Sequence, residues 1–257
     1  MTALVTGAAK RLGRAMALEL AEAGHDVAIH YNGSAEAAEA TAEEIRAKGV
    51  RAVTLQADLL DEAAVQGLMG RAVDALGPVE VLINNASIFD YDNIDSATRQ
   101  SWDRHMESNL RAPFVLTQAL AAQLPDPDTD DGGEPVARGL VINMVDQRVR
   151  KLTPEFMTYT IAKMGLWALT QTAAQALAPK CRVNAIGPGP TMQGARQSAE
   201  HFKAQREATI LRRGAGPEEI CAALRYFVGA RTVTGQLICV DGGQHLAWET
   251  PDVLGVE

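Results

Sequence analysis

The chain has 257 residues, 47% of them hydrophobic and only 5% aromatic, enough for one aliphatic, alanine-rich core where helices pack on a sheet. Its 32 acidic residues outweigh 24 basic ones for a formal charge of -8, which argues against a nucleic-acid binder and a polybasic membrane-surface protein. Cys181, Cys221 and Cys239 are widely spaced with no Cys/His cluster, so buried thiols in a reducing compartment are expected, not disulfides or a metal site.

Met1 leads straight into Ala3-Leu4-Val5, which leaves no room for a signal peptide. No apolar run reaches the roughly 18 residues of a transmembrane helix, so a cytoplasmic protein is expected. Aliphatic runs predict strands at 3–6, 26–30, 51–56, 81–84, 139–144, 182–186 and 236–240. Helical periodicity predicts helices at 12–23, 35–48, 62–76, 99–124, 154–177 and 217–227. This alternation implies an α/β fold: one domain over 1–257, with a doubly wound, seven-stranded parallel sheet between helices. The acidic, Pro- and Gly-rich stretch 125–139 reads as a solvated surface loop. Residues 187–213 follow the sixth strand without a place in the layers, and are expected to cover a substrate at the strand ends.

The first strand runs into Thr6-Gly7-Ala8-Ala9-Lys10-Arg11-Leu12-Gly13 and then a helix. Small residues there let backbone N–H groups and the helix N-terminus approach a pyrophosphate, which makes Gly7, Arg11 and Leu12 candidate cofactor contacts. The second strand ends His30-Tyr31-Asn32-Gly33-Ser34, without the acid that commonly binds a ribose 2′-hydroxyl. With Arg11 nearby and His30 and Ser34 able to donate, a 2′-phosphate is favoured, hence NADP(H) over NAD(H). Asp58-Leu59 and Asn85-Ala86-Ser87 reach the same sheet edge, where an Asp can accept from an adenine amino group and Asn can brace the ribose loops. Either set would also serve as turn or helix-cap residues. Tyr159 and Lys163 are four apart on a predicted helix and so share a face. A nearby ammonium would lower the phenol's pKa and make Tyr159 usable as an acid or base.

Taken in order, the Thr-Gly turn, Asn-Asn-Ala, Asn109, Tyr-x-x-x-Lys, Pro-Gly and Asp241-Gly242-Gly243 resemble the short-chain dehydrogenase/reductase family over essentially the whole chain. The resemblance implies a Rossmann-like fold with strand order 3-2-1-4-5-6-7 and a homotetramer. It adds Met144, Pro188 and Gly189 to the cofactor contacts, and it assigns Asn109 to holding its helix and a water of a proton relay.

The family typically has a serine thirteen residues before the tyrosine, where this chain has Asp146. An ionised Asp only accepts hydrogen bonds, so it is a poor partner for a carbonyl oxygen and suits N–H groups or a ring nitrogen. With the first turn, His30-Tyr31 and Asn-Asn-Ala-Ser, this resembles the pteridine and dihydromonapterin reductases, which use NADPH to reduce pterin rings. That likeness puts Phe89 against the pterin and has Asp146 and Tyr159 share the delivered proton. Gly33 departs from the basic residue often found there. Two alternatives stay open: a carbonyl reductase of a ketone or 3-oxoacyl thioester, and a dinucleotide-binding regulator without turnover.

Overall fold

The computed structural model describes residues 1–194 and 197–250. Residues 195, 196 and 251–257, parts of the expected cover and of the single domain, lie outside the described residues. The strands are β1 (Thr2–Val5), β2 (Asp26–Tyr31), β3 (Ala52–Gln56), β4 (Val79–Asn84), β5 (Asp128–Thr129), β6 (Pro135–Val136), β7 (Gly139–Met144), β8 (Cys181–Pro188) and β9 (Leu237–Val240). The helices are α1 (Arg11–Glu22), α2 (Ala35–Arg46), α3 (Glu62–Leu76), α4 (Arg99–Met106), α5 (Ala112–Gln123), α6 (Met157–Leu177), α7 (Ala199–Glu207) and α8 (Pro217–Gly229).

Seven strands form the main sheet in the order β3-β2-β1-β4-β7-β8-β9, and every neighbouring pair is parallel. Counting main-sheet strands alone, this is the expected 3-2-1-4-5-6-7. All six residues of β7 are buried, as a strand covered on both faces requires. Side chains alternate between two cores: Ala3 and Val5 pack with residues of α1, α2 and α8, while Leu4 packs with those of α3, α5 and α6. Leu116 and Leu120 of α5, both fully buried, each contribute about 1.5–3 kcal/mol relative to exposure. The order reverses beside β1, between β2 and β4, and an open parallel sheet forms its ligand crevice at such a point.

The stretch 125–139 is more ordered than a solvated loop. Strands β5 and β6 pair antiparallel, with Asp128 opposite Val136. Asp130 Oδ1 accepts from the backbone of Gly132 and Glu134, and Arg138 pairs with Asp128 and Glu80. The predicted helix 99–124 is also not continuous: a π-helical turn, Glu107–Arg111, separates α4 from α5. Among the described residues no helix is long and apolar enough to cross a membrane, and no group of His, Cys, Asp or Glu could hold a metal. Cys181, Cys221 and Cys239 are free thiols, two buried and one half-buried.

Candidate active site

A cleft of about 640 Å³ opens at the C-terminal strand ends and runs from the first turn to Tyr159. Two glycines make its floor. Gly7 has φ of 62°, and a Cβ there would lie 3.0 Å from the Cα of Ala86. A Cβ on Gly13 would sit 2.2 Å from the carbonyl oxygen of Gly7, so α1 can pack on its own strand end only with glycine there. Asn85 ties this turn to β4: its Nδ2 donates to the carbonyls of Thr6 (2.8 Å) and Gly7 (3.2 Å). Thr6 Oγ1 accepts in return from the N–H groups of Asn85 and Ala86. The N-cap residue of α1, Lys10, makes no side-chain cap bond, so the positive helix end is left to the cleft.

Of the other residues singled out at this end, Gly7, Arg11, Leu12, Asn32, Asp58, Leu59, Asn85, Ala86 and Ser87 line the cleft; Tyr31 and Ser34 do not. Tyr31 packs against the α1/α2/α8 core, and Ser34 stands at the N-cap of α2. His30 reaches the cleft but cannot donate into it. Its Nδ1 accepts from the N–H of Gly7 (3.0 Å), which leaves Nε2 as the protonated nitrogen, donating to the carbonyl of Ala57 (3.1 Å). Both nitrogens are thus spent on holding the turn against β2 and β3. Arg11, at φ of 55°, spans the cleft and donates to the carbonyls of Met192 (3.1 Å) and Gln193 (3.0 Å).

Burial holds the His30 ring neutral, with its pKa below the usual 6.5. The unfolded chain therefore takes up the proton first, and this group's contribution to stability falls as pH drops through 6.5. Replacing His30 by Leu leaves the Gly7 donor and the Ala57 acceptor without partners. A loss of about 2 kcal/mol in urea unfolding at pH 7 is expected, shrinking towards pH 5. An unchanged unfolding midpoint would mean that the ring does not hold the turn.

Buried at the ends of β4 and β7, the carboxamides of Asn84 and Asn143 pair at 2.8 Å, and Asn143 Nδ2 donates to Thr170 Oγ1 of α6 at 2.9 Å. This buried tie fixes α6 on β4 and β7. Lys163 extends from the same helix, is 2% exposed, and donates from Nζ to the carbonyl of Met144 at 2.8 Å. Burial lowers its pKa to about 8. Met144, Pro188 and Gly189 line the cleft beside it.

At the far end Tyr159 meets Asp146. Tyr159 donates its phenolic proton to Asp146 Oδ2 at 2.9 Å, and Asp146 Oδ1 accepts from the N–H of Arg148 at 2.8 Å. Burial, and next the Asp146 carboxylate, raise the Tyr159 pKa well above 10; burial also raises that of Asp146. The expected lowering of the phenol's pKa by Lys163 is therefore not found in the chain by itself. The ammonium lies 5.6 Å from the Tyr159 ring centroid and donates to the Met144 carbonyl, while the carboxylate accepts directly from the phenol. Phe89 borders Tyr159 edge-on with ring centroids 4.6 Å apart.

Asn109 is fully buried and not a lining residue. Its Oδ1 accepts from the N–H of Ile88 (3.0 Å) and its Nδ2 donates to the carbonyl of Ile88 (2.8 Å). Its carboxamide is spent on the loop that carries Phe89, and the π-helical turn delivers it there. A second buried knot fixes the same loop. Asp92 accepts from the N–H and hydroxyl of Thr158, and His105 meets Thr158 Oγ1 through Nδ1 (2.7 Å) while accepting from the N–H of Asp90.

Sequence reasoning missed Phe156, Gln147, Arg148, Phe202 and Gln205. Phe156 stacks on Phe89 at 4.3 Å and 14°, presented by a left-handed backbone just before α6. The other four line the cleft. Helix α7 carries Phe202 and Gln205, and Arg206 anchors it by donating to the carbonyls of Pro190, Gly214 and Ala215.

Residues 7–245 match a family model described as enoyl-(acyl carrier protein) reductase. The chain belongs to the short-chain dehydrogenase/reductase family. A 3-oxoacyl-[acyl-carrier-protein] reductase of Staphylococcus epidermidis is 33% identical, covering 95% of this chain and 99% of the relative. Among solved structures of similar shape are complexes of FolM alternative dihydrofolate reductase 1 with NADP. The Brucella suis protein is 46% identical with a TM-score of 0.90, covering 98% of each chain. The Brucella canis protein is 45% identical with a TM-score of 0.91, covering 98% of this chain and 96% of that one.

Proposed function

We propose that the chain is an NADPH-dependent reductase of dihydropterins, yielding tetrahydropterins. The observation that carries this reading is the Tyr159–Asp146 hydrogen bond beside the Phe89 and Phe156 rings. A carboxylate that accepts the phenolic proton suits an N–H-rich, flat heterocycle better than a ketone oxygen. The likeness to the FolM proteins supports it, at 45–46% identity against 33% for the 3-oxoacyl reductase.

The cleft suits NADP(H). The tight glycine floor and the uncapped α1 N-terminus fit a pyrophosphate; Arg11 and Asn32 line the same cleft, with no acid at the tip of β2, and Arg11 would exchange its bonds to the Met192 and Gln193 carbonyls for a 2′-phosphate. Asp58, Ser87, Lys163, Pro188 and Gly189 would hold the remainder. Bound there, the nicotinamide supplies the hydride. The chain's residues manage the proton. Tyr159 keeps it on Oη at neutral pH, Asp146 fixes its direction, and Lys163 holds the Met144 carbonyl at the cleft wall. Helix α7 would cover the substrate through Phe202 and Gln205.

The second reading, a 3-oxoacyl thioester reductase, is favoured by the 33% identical relative. NADPH oxidation measured with 7,8-dihydropterins, acetoacetyl thioesters and simple ketones separates the two. Turnover of dihydropterins with at least about tenfold higher kcat/KM is expected. Activity on ketones or thioesters with none on any pterin would sink the leading reading.

A further inference from the structure

The turn after β7 sets Asp146, Gln147 and Arg148 in succession along the substrate end of the cleft. Both carboxylate oxygens of Asp146 are occupied, but its two neighbours are not similarly engaged. Gln147 is 7% exposed, and its Oε1 is buried without a hydrogen-bond partner, which folded proteins rarely tolerate. The Arg148 guanidinium lies 5.0 Å from the centroid of the Phe156 ring and donates to Thr153 Oγ1 at 2.8 Å. Among the described residues no carboxylate forms an ion pair with it. Arg46, Arg51 and Arg138, by contrast, each have one.

These groups stand in line. Tyr159 borders Phe89, Phe89 stacks on Phe156, and Phe156 carries the guanidinium. A flat ring seated beside Phe89 and Tyr159 has a continuous wall leading from it to Arg148. We propose that Arg148, with Gln147 beside it, receives an anionic oxygen group on the substrate's tail and so determines specificity. A guanidinium fork matches the paired oxygens of a carboxylate or phosphate, and stacking on Phe156 orients the fork in advance. The Gln147 amide is placed to take a neutral polar group of the same tail, such as an amide linkage. In a chain of net charge -8 this local cation would draw an anion that bulk composition would repel. The proposal rests on the pterin reading of the cleft and names the class of pterin.

The test compares the wild type with Arg148→Gln and Arg148→Lys, using the full chain and NADPH. Three substrates serve: 7,8-dihydrofolate, whose tail ends in carboxylates, 7,8-dihydroneopterin monophosphate, and 6-methyl-7,8-dihydropterin, which has no anion. In the Gln variant the ratio of kcat/KM for an anionic substrate to that for the 6-methyl compound is expected to fall about tenfold, mainly through KM. The Lys variant should recover part of it. A fall for dihydrofolate alone assigns the site to carboxylate, and one for the monophosphate alone assigns it to phosphate. A merely structural role would depress all three substrates alike, and an unchanged ratio overturns the proposal.

If the wild type reduces no pterin, the pterin reading has failed separately. Calorimetric titration of p-aminobenzoyl-glutamate and of inorganic phosphate into the NADPH-loaded protein then decides. Binding that weakens in the Gln variant upholds an anion site at Arg148. Equal binding in both proteins, or none, removes it.

Discussion

Replacing Asp146 by Ser is expected to cut kcat/KM for a dihydropterin by about 10²–10⁴, the range a positioned proton donor or acceptor supplies. The carboxylate accepts a hydrogen bond from Tyr159 Oη at 2.9 Å with no proton of its own to donate, and, as serine cannot, it stands as a charge that helps hold the phenol well above its usual pKa. Without it the phenol titrates lower, and a hydroxyl able to donate stands where a carbonyl oxygen would bind. Ketone reduction should therefore appear as pterin reduction falls. Asp146→Asn keeps the shape and removes the charge, so it separates the electrostatic part from the steric one. Pterin turnover that survives both substitutions would take Asp146 out of the chemistry.

The helix and strand pattern was legible because both faces of the sheet are covered. The strands are apolar runs, and the helices carry one apolar face. Interruptions set by distant partners were not legible. Residues 99–124 have unbroken helical periodicity, yet Glu107–Arg111 widens into a π turn that brings Asn109 to Ile88. Helix α6 was expected from residue 154 but begins at Met157, because Asp92, far back in the chain, accepts the N–H groups that open it. That delay leaves Phe156 outside the helix, in a left-handed conformation and against Phe89.

Site residues divide in the same way. Tyr159 and Lys163 stand out because four residues apart they share a helix face, and Asp146 because it replaces the serine that the resemblance to the short-chain dehydrogenase/reductase family leads one to expect. His30 is of the right type at the right strand end, but its nitrogens are consumed by Gly7 and Ala57, a fact that only tertiary packing reveals. Arg148 carries no motif at all. Its part emerges only when the aromatic wall is assembled from two distant loops.

Lys163→Met is expected to lower turnover by at least about 10² while changing stability in a direction that depends on pH. The wild-type ammonium is 2% exposed, and burial brings its pKa from 10.5 to about 8. That shift corresponds to about 3 kcal/mol of penalty on the charged form, partly offset by the bond to Met144. Below pH 8 the folded and unfolded chains both carry the proton, so the penalty is constant and the Met variant escapes it. Between about 8 and 10.5 the folded lysine is neutral while the unfolded one is still charged, so unfolding takes up a proton. Wild-type stability measured against the Met variant must then climb by up to about 3 kcal/mol across that window. Subtracting the variant cancels the three cysteines, whose raised pKa values pull the other way at alkaline pH. Urea unfolding of both proteins at intervals from pH 7 to 10 checks this. Parallel curves would show that the Lys163 ammonium is not desolvated in the folded chain. A wild-type curve that climbs towards that of the Met variant as pH rises would show that the fold sustains a buried cation at a cost in stability.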